Sequence, residues 1–198
     1  MKLKQRQYKV LVVSSQPRFN ESLEALIAER QHFEHEVLTG VNAARRRLLD
    51  RDFDIIIINA PLPDEDGVRL AVDRASGYCA VLLLVPNDYY GDVFERVCSH
   101  GVYMLPKPLS AQMLRQSLDW LEVTCERLGS IEQKSTSLEN RMNEIKLVNR
   151  AKLLLISYHG LSEEEAHHRI EKMAMDRGVK KCVIAEEIIA MNDTGDNR

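Results

Sequence analysis

Residues 55–67 read Ile55-Ile56-Ile57-Ile58-Asn59-Ala60-Pro61-Leu62-Pro63-Asp64-Glu65-Asp66-Gly67, an unbroken β-branched run followed by a turn rich in Pro, Asp and Gly. Four consecutive isoleucines favour a strand. A run that is apolar at every position fits a parallel strand covered on both faces. The run at 81–85 has the same character, and further apolar runs lie at 10–13, 36–39 and 102–105. Between them are amphipathic stretches at roughly 20–30, 42–51, 67–75 and 90–100. Strands alternating with helices predict an α/β domain, a five-stranded doubly wound parallel sheet. The functional crevice of such a sheet lies beyond the carboxyl ends of its strands. Those ends carry Ser14, Ser15, Asn59, Val85 and the loop reaching Lys107.

Composition narrows the rest. The 198 residues carry 27 Lys+Arg against 30 Asp+Glu, a net charge of −3, and 44% hydrophobic residues, the make-up of an ordinary globular protein. No apolar run approaches the roughly 20 residues that span a bilayer, so no membrane partner is expected. The charged start is followed by an apolar core too short for a secretion signal, and it reads as the first strand. Cys79, Cys98, Cys125 and Cys182 lack the paired spacing of a zinc site or a disulfide framework. A cytoplasmic protein without metal or cofactor is expected. The near-neutral charge argues against a general polyanion coat but leaves room for a local basic face.

After Ser110 the pattern changes. Leu114, Leu118, Leu121, Cys125 and Leu128 are spaced 4, 3, 4, 3, the seam of a coiled coil. It resumes at Ile131, Leu138, Met142 and Ile145, with Ser135 and Asn149 at polar seam positions. The step from Leu128 to Ile131 shifts the register, a stammer that would overwind the helix locally. Gly129-Ser130 falls there, so a break or hinge is the other reading. The seam predicts a homodimer through the helix after Ser110; the bland reading is the last helix of the preceding domain followed by a flexible linker. The expected division is 1–110, then a coiled-coil or linker helix over 111–140, then a small helical domain over 141–198.

That last part reads as three helices. The first ends near His159-Gly160, with Gly as a left-handed cap. Ser162 and Glu165 form a capping box for the second, which buries Ala166, Ile170, Met173 and Ala174 and ends at Gly178. The third begins near Lys180 or Lys181 and presents Ile184, Ile188 and Met191. A unit this small is marginal alone.

Four blocks of the first half, 10–16 (VLVVSSQ), 59–67 (NAPLPDEDG), 81–85 and Lys107-Pro108, resemble the signature blocks of response-regulator receiver domains, a flavodoxin-like fold. The resemblance implies an acidic pair after the first strand, a phosphoacceptor Asp ending the third, a Ser or Thr ending the fourth, and a Lys before Pro after the fifth. Here those places hold Ser14 and Ser15, Asn59, Val85 and Lys107. Only Lys107 keeps the family residue. An amide is not the carboxylate nucleophile that acyl-phosphate formation needs, and neutral oxygens are poor Mg²⁺ ligands. Asp64, Glu65 and Asp66 sit where acids are ordinary turn and helix-start residues. A pseudo-receiver with a degenerate phosphoacceptor pocket is expected, without enzymatic activity. The resemblance also implies a cis Lys107-Pro108 bond.

Residues 141–189 resemble the ANTAR domain, the three-helix RNA-binding output module of amidase-operon and nitrate-assimilation antiterminators. The matching blocks are Ala151-Lys152, His159-Gly160-Leu161-Ser162, Ala166, Ala174-Met175, Arg177 and 183–186 (VIAE). The small residue usual after Ala-Lys is Leu153 here. The resemblance implies recognition of hairpin loops at Ala151, Lys152, Ala174, Met175 and Arg177. By their own chemistry Ala151, Ala174 and Met175 read equally well as core. Between 141 and 181 there are nine Lys/Arg against six Asp/Glu, a local basic excess. Lys180 and Lys181 flank a helix start, where positive charge is mildly unfavourable, and so are further candidates for phosphate contact.

Together these readings predict an antitermination regulator that binds RNA hairpins. Its pseudo-receiver would be controlled by a regulatory protein or small ligand, not by aspartyl phosphorylation. The alternative is a signalling module that dimerises and docks on another protein without touching nucleic acid. DNA reading ranks below both, because the short helices lack a base-reading face rich in Arg, Asn and Gln.

Overall fold

A computed structural model describes residues 6–193. The chain divides into two compact units, residues 1–132 and 133–198.

In the first unit five strands, β1 (Tyr8–Val13), β2 (Phe33–Leu38), β3 (Ile55–Asn59), β4 (Ala80–Pro86) and β5 (Tyr103–Lys107), form one sheet in the order β2-β1-β3-β4-β5. Every pairing is parallel. The helices are α1 (Pro17–Ala28), α2 (Val41–Asp50), α3 (Val68–Ala75), α4 (Tyr90–Val97) and the start of α5 (Ala111–His159). All five residues of β3 are buried, as its uninterrupted apolar run requires of a central strand. Alternate residues feed two cores. Leu11, Val13, Ile56 and Ile58 pack with residues of α2, α3 and α4 on one face. Val10, Val12, Ile55 and Ile57 pack with α1 and α5 on the other.

One expectation is corrected here. Leu114, Leu118, Leu121 and Cys125 do not form a seam toward a second chain. They lie on the sheet as part of the second core, Leu118 and Leu121 being 0% and 1% exposed. A 4-3-4 spacing serves a helix packed on a sheet as well as one packed on another helix. These four residues are therefore not available to a second chain. Only past Leu128 does the seam reach solvent: Ile131, Leu138, Met142 and Ile145 are all exposed.

The helix is continuous through Gly129-Ser130. A Cβ at Gly129 would lie 2.5 Å from Nη1 of Arg6, the far end of a flexible side chain that can move aside. Arg6 itself donates to Asp54 at 2.7 Å.

In the second unit the end of α5, α6 (Glu163–Arg177) and α7 (Lys181–Asp193) enclose a core of Ala151, Leu155, Ala166, Ile170, Ala174, Ile184, Ala185, Ile188 and Ile189. Glycines in the left-handed region, Gly160 at φ 64° and Gly178 at φ 62°, end the first two helices. The capping box at the start of α6 is present: Ser162 Oγ accepts from the Glu165 N–H at 3.3 Å, and Glu165 Oε2 accepts from the Ser162 N–H at 2.8 Å. On α7 the buried face differs from the expected one. Met191 is 74% exposed, while Ala185 and Ile189 join Ile184 and Ile188 inside. Among the described residues no helix is long and apolar enough to cross a membrane.

Candidate functional site

The carboxyl ends of the strands bring Ser14, Asn59 and Lys107 together. Ser14 and Asn59 are fully buried. The Asn59 amide donates to Ser14 Oγ at 3.0 Å and to Gln16 Oε1 at 3.3 Å. Its Oδ1 accepts from Lys107 Nζ at 2.9 Å, and the same ammonium donates to the Ala60 carbonyl. Lysine can only donate, so the amide oxygen must face it and the amide nitrogen must face the hydroxyl. Lys107 is half-buried without a carboxylate partner, and burial lowers its pKa from the ordinary lysine value. Val85 is buried in the core and offers no hydroxyl. Ser15 is half-buried beside the crevice. Both peptide bonds Ala60-Pro61 and Lys107-Pro108 are cis; the second was expected from the family resemblance, the first was not.

The three loop acids have other work. Asp64 accepts from the N–H groups of Val41 at 3.0 Å and Asn42 at 2.9 Å, which cap α2 and hold its carboxyl below the usual range. Glu65 makes a forked pair with Arg45 at 2.6 and 3.0 Å. Asp66 accepts from the Val68 N–H at 3.0 Å, at the start of α3. None of these carboxylates replaces the acidic pair, and the crevice presents neutral oxygens around one ammonium. Acetyl phosphate with Mg²⁺ should therefore leave the intact mass of the protein unchanged. A phosphoryl adduct that disappears in Asn59→Ala would contradict this.

In the second unit, five of the seven candidate RNA-contacting residues line one groove of about 920 Å³ formed by α5, α6 and the start of α7: Lys152, Ala174, Met175, Lys180 and Lys181. Met175 is 82% exposed, a long flexible apolar side chain beside Ile145, Val148 and Val179 of the same groove, while only 5% of the Ala174 surface is free. The other two candidates lie elsewhere. Ala151 is fully buried in the core. Arg177 makes a forked ion pair with Glu187 of α7, one arm at 2.8 Å. Tyr158 is exposed but does not line the groove.

Sequence reasoning missed the partners that α5 and α6 contribute. Arg141, Asn149 and His167 also line the groove, as do Glu144 and Glu171. Each groove lysine is tied to a glutamate: Lys180 to Glu144 at 3.0 Å, Lys152 to Glu163 at 2.9 Å, and Lys181 to Glu171. His167 Nε2 lies 3.3 Å from Glu171 as well. These contacts hold Glu163 and Glu171 below the ordinary carboxylate range and raise Lys180. The Lys180 and Lys181 pairs are solvent-accessible, a class with a median strength of about 0–1 kcal/mol, and in the Lys152 pair the glutamate is the open side. A phosphate can displace such a partner at little cost.

The model of the ANTAR domain matches residues 136–189. These residues form an ANTAR domain. The groove thus lies wholly within the ANTAR match. Among curated relatives, the transcriptional regulatory protein PdtaR of Mycobacterium tuberculosis is 29% identical over 137 residues, 69% of this chain and 67% of that protein. The aliphatic amidase regulator of Pseudomonas aeruginosa is 32% identical over 97 residues, 49% of this chain and 48% of that one. The signal receiver domain of an HD-domain-containing protein from Pseudomonas fluorescens Pf-5 superposes with a TM-score of 0.56 at 22% identity, covering 67% of this chain and 96% of that one. At that identity the likeness establishes the fold alone. The chain thus joins a receiver fold to an ANTAR domain and is related to transcriptional regulators.

Proposed function

We propose that this chain is an RNA-binding transcription antitermination regulator whose ANTAR domain holds hairpins in leader RNA so that a terminator does not form. The observation that carries the reading is the convergence of Lys152, Lys180 and Lys181 with Met175 in one groove of the ANTAR domain. Cations supply the salt-dependent attraction to phosphates, and a concave wall with an exposed apolar side chain suits an unstacked loop base. Ala151 serves the fold beneath this surface, and Arg177 is a flanking contact at most. The reading involves no catalytic step and no cofactor, and it places the protein in the cytoplasm.

The active form is a homodimer through the part of α5 that leaves the sheet, with Ile131, Leu138, Met142 and Ile145 as its seam. These exposed residues keep spacings of 7, 4 and 3, as two helices packing side by side require. The first unit controls the output without aspartyl phosphorylation, through a regulatory protein or a small ligand. Such a controller must bind the active and inactive states with different affinity.

The test is selection from an RNA library of hairpins with randomised loops, using the full-length protein. The expected result is enrichment of one loop family within a constant stem. Enrichment of no loop family would overturn the RNA reading and favour a protein-docking module.

A further inference from the structure

The face of the first unit between α1 and the start of α5 holds a second concavity, about 600 Å³ in volume, next to the Asn59 crevice. Its floor is apolar, built from Phe19, Leu26, Leu84 and Leu114. Its polar lining is of one sign. Arg18 and Lys107 both border it, with the hydroxyls of Ser22 and Ser110, and no Asp or Glu is among its described lining residues. This is unlike the ANTAR groove, where every lysine is answered by a glutamate.

Neither cation is neutralised. Among the described residues the exposed Arg18 has no carboxylate within ion-pair distance, so its fork of five N–H donors faces solvent and is open to a ligand. Lys107 gives two of its three N–H bonds to neutral oxygens, those of Asn59 and Ala60, and has one left. The first turn of α5 adds weak positive potential at the same rim, where Ser110 Oγ caps the Met113 N–H at 3.1 Å. A half-buried ammonium with no counter-ion is a costly arrangement unless something else supplies the charge. The volume lies in the range of small-molecule sites, which are apolar with a few convergent polar groups.

We propose that this concavity is a binding site for a small amphipathic monoanion, a carboxylate on a short aliphatic or aromatic body. The carboxylate sits between Arg18 and Lys107, and the body lies on Phe19, Leu26 and Leu114. Arginine favours this headgroup because its planar fork matches a carboxylate with two parallel hydrogen bonds. The inference deepens the reading in which the first unit receives a non-phosphoryl signal and rests on it for its biological use. Its physical test needs no RNA, so failure here and failure of the RNA reading are distinguishable.

The experiment is an amide chemical-shift titration of the full-length ¹⁵N-labelled protein with sodium octanoate, 1-octanol and inorganic phosphate in turn. Octanoate should give saturable shifts confined to Gln16, Phe19, Ser22, Lys107 and Ser110 and their neighbours, with a dissociation constant of about 0.1–1 mM for a ligand of this size. Octanol and phosphate, each carrying half of the recognition, should bind at least about tenfold more weakly. Arg18→Gln, on the exposed side of α1, should weaken octanoate about fivefold or more. Ser22→Trp, which fills the concavity from its rim, should abolish the saturable shifts while leaving the spectrum of a folded protein. Three results would overturn the proposal: octanol or phosphate matching octanoate, octanoate affinity unchanged in both variants, or no saturable shift.

Discussion

Replacing Lys152, Lys180 and Lys181 together with alanine is expected to lower affinity for a selected hairpin RNA by about 100-fold at ~0.1 M monovalent salt. The size follows from counterion release, in which each phosphate contact contributes about 0.7–0.9 to the slope of log affinity against log salt. Removing three contacts should flatten that slope by about two to three, which separates lost phosphate contacts from a general loss of fold. The three lysines lie at the groove surface and outside the ANTAR core, and their partners Glu163, Glu144 and Glu171 are solvent-accessible. Thermal stability should therefore change little. Isothermal titration at several salt concentrations reads both quantities. An unchanged affinity would remove the groove from the account.

The second large effect concerns α5, whose two halves have different roles. Leu118→Ser with Leu121→Ser should unfold the first unit, because both side chains are buried against the sheet. A single large-to-small change at such a site costs about 3–5 kcal/mol. Two neighbouring changes, even if not strictly additive, approach the whole stability of a domain, about 5–15 kcal/mol. If the proposed dimer forms, Met142→Ser with Ile145→Ser should leave both units folded and convert it to monomer, because both residues are exposed and neither belongs to a core. Calorimetry and sedimentation velocity distinguish the two outcomes. A stable, monomeric Leu118→Ser/Leu121→Ser protein would restore the seam to the N-terminal part of the helix.

The same stretch shows what spacing alone can and cannot settle. The strands were legible because a parallel strand covered on both sides must be apolar at every position, and 55–58 and 81–85 are. The edge strand β2 was harder. Its exposed Glu34 and His35 and half-buried Glu36 interrupt the apolar pattern, so only its end stands out. For α5 the 4-3-4 spacing specifies an apolar stripe but not what covers it. The sheet took Leu114 to Cys125, and the seam beyond Leu128 was left exposed.

The crevice was legible position by position because each missing group sits at a strand end. The commitment of Asp64, Glu65 and Asp66 to helix starts and to Arg45 was also foreseeable from their place in a turn. Gln16 was not foreseen, since nothing in a sequence says that its side chain turns back toward Asn59. In the ANTAR domain the lysines stood out by charge. Their glutamate partners did not, because Lys180 and Glu144 are 36 positions apart and meet only once the helices have packed. Ala151 carries the opposite lesson. A small residue within a family motif reads equally as surface or core, and here packing has made it core.

The most direct measurement of the central claim is a titration of the full-length protein against a selected tandem-hairpin RNA and a duplex DNA of equal charge, each at a low and a high salt concentration. The account predicts a preference for the hairpin RNA that persists at high salt, because loop contacts in the groove survive when phosphate attraction is screened. Equal binding to both that vanishes with salt would contradict it.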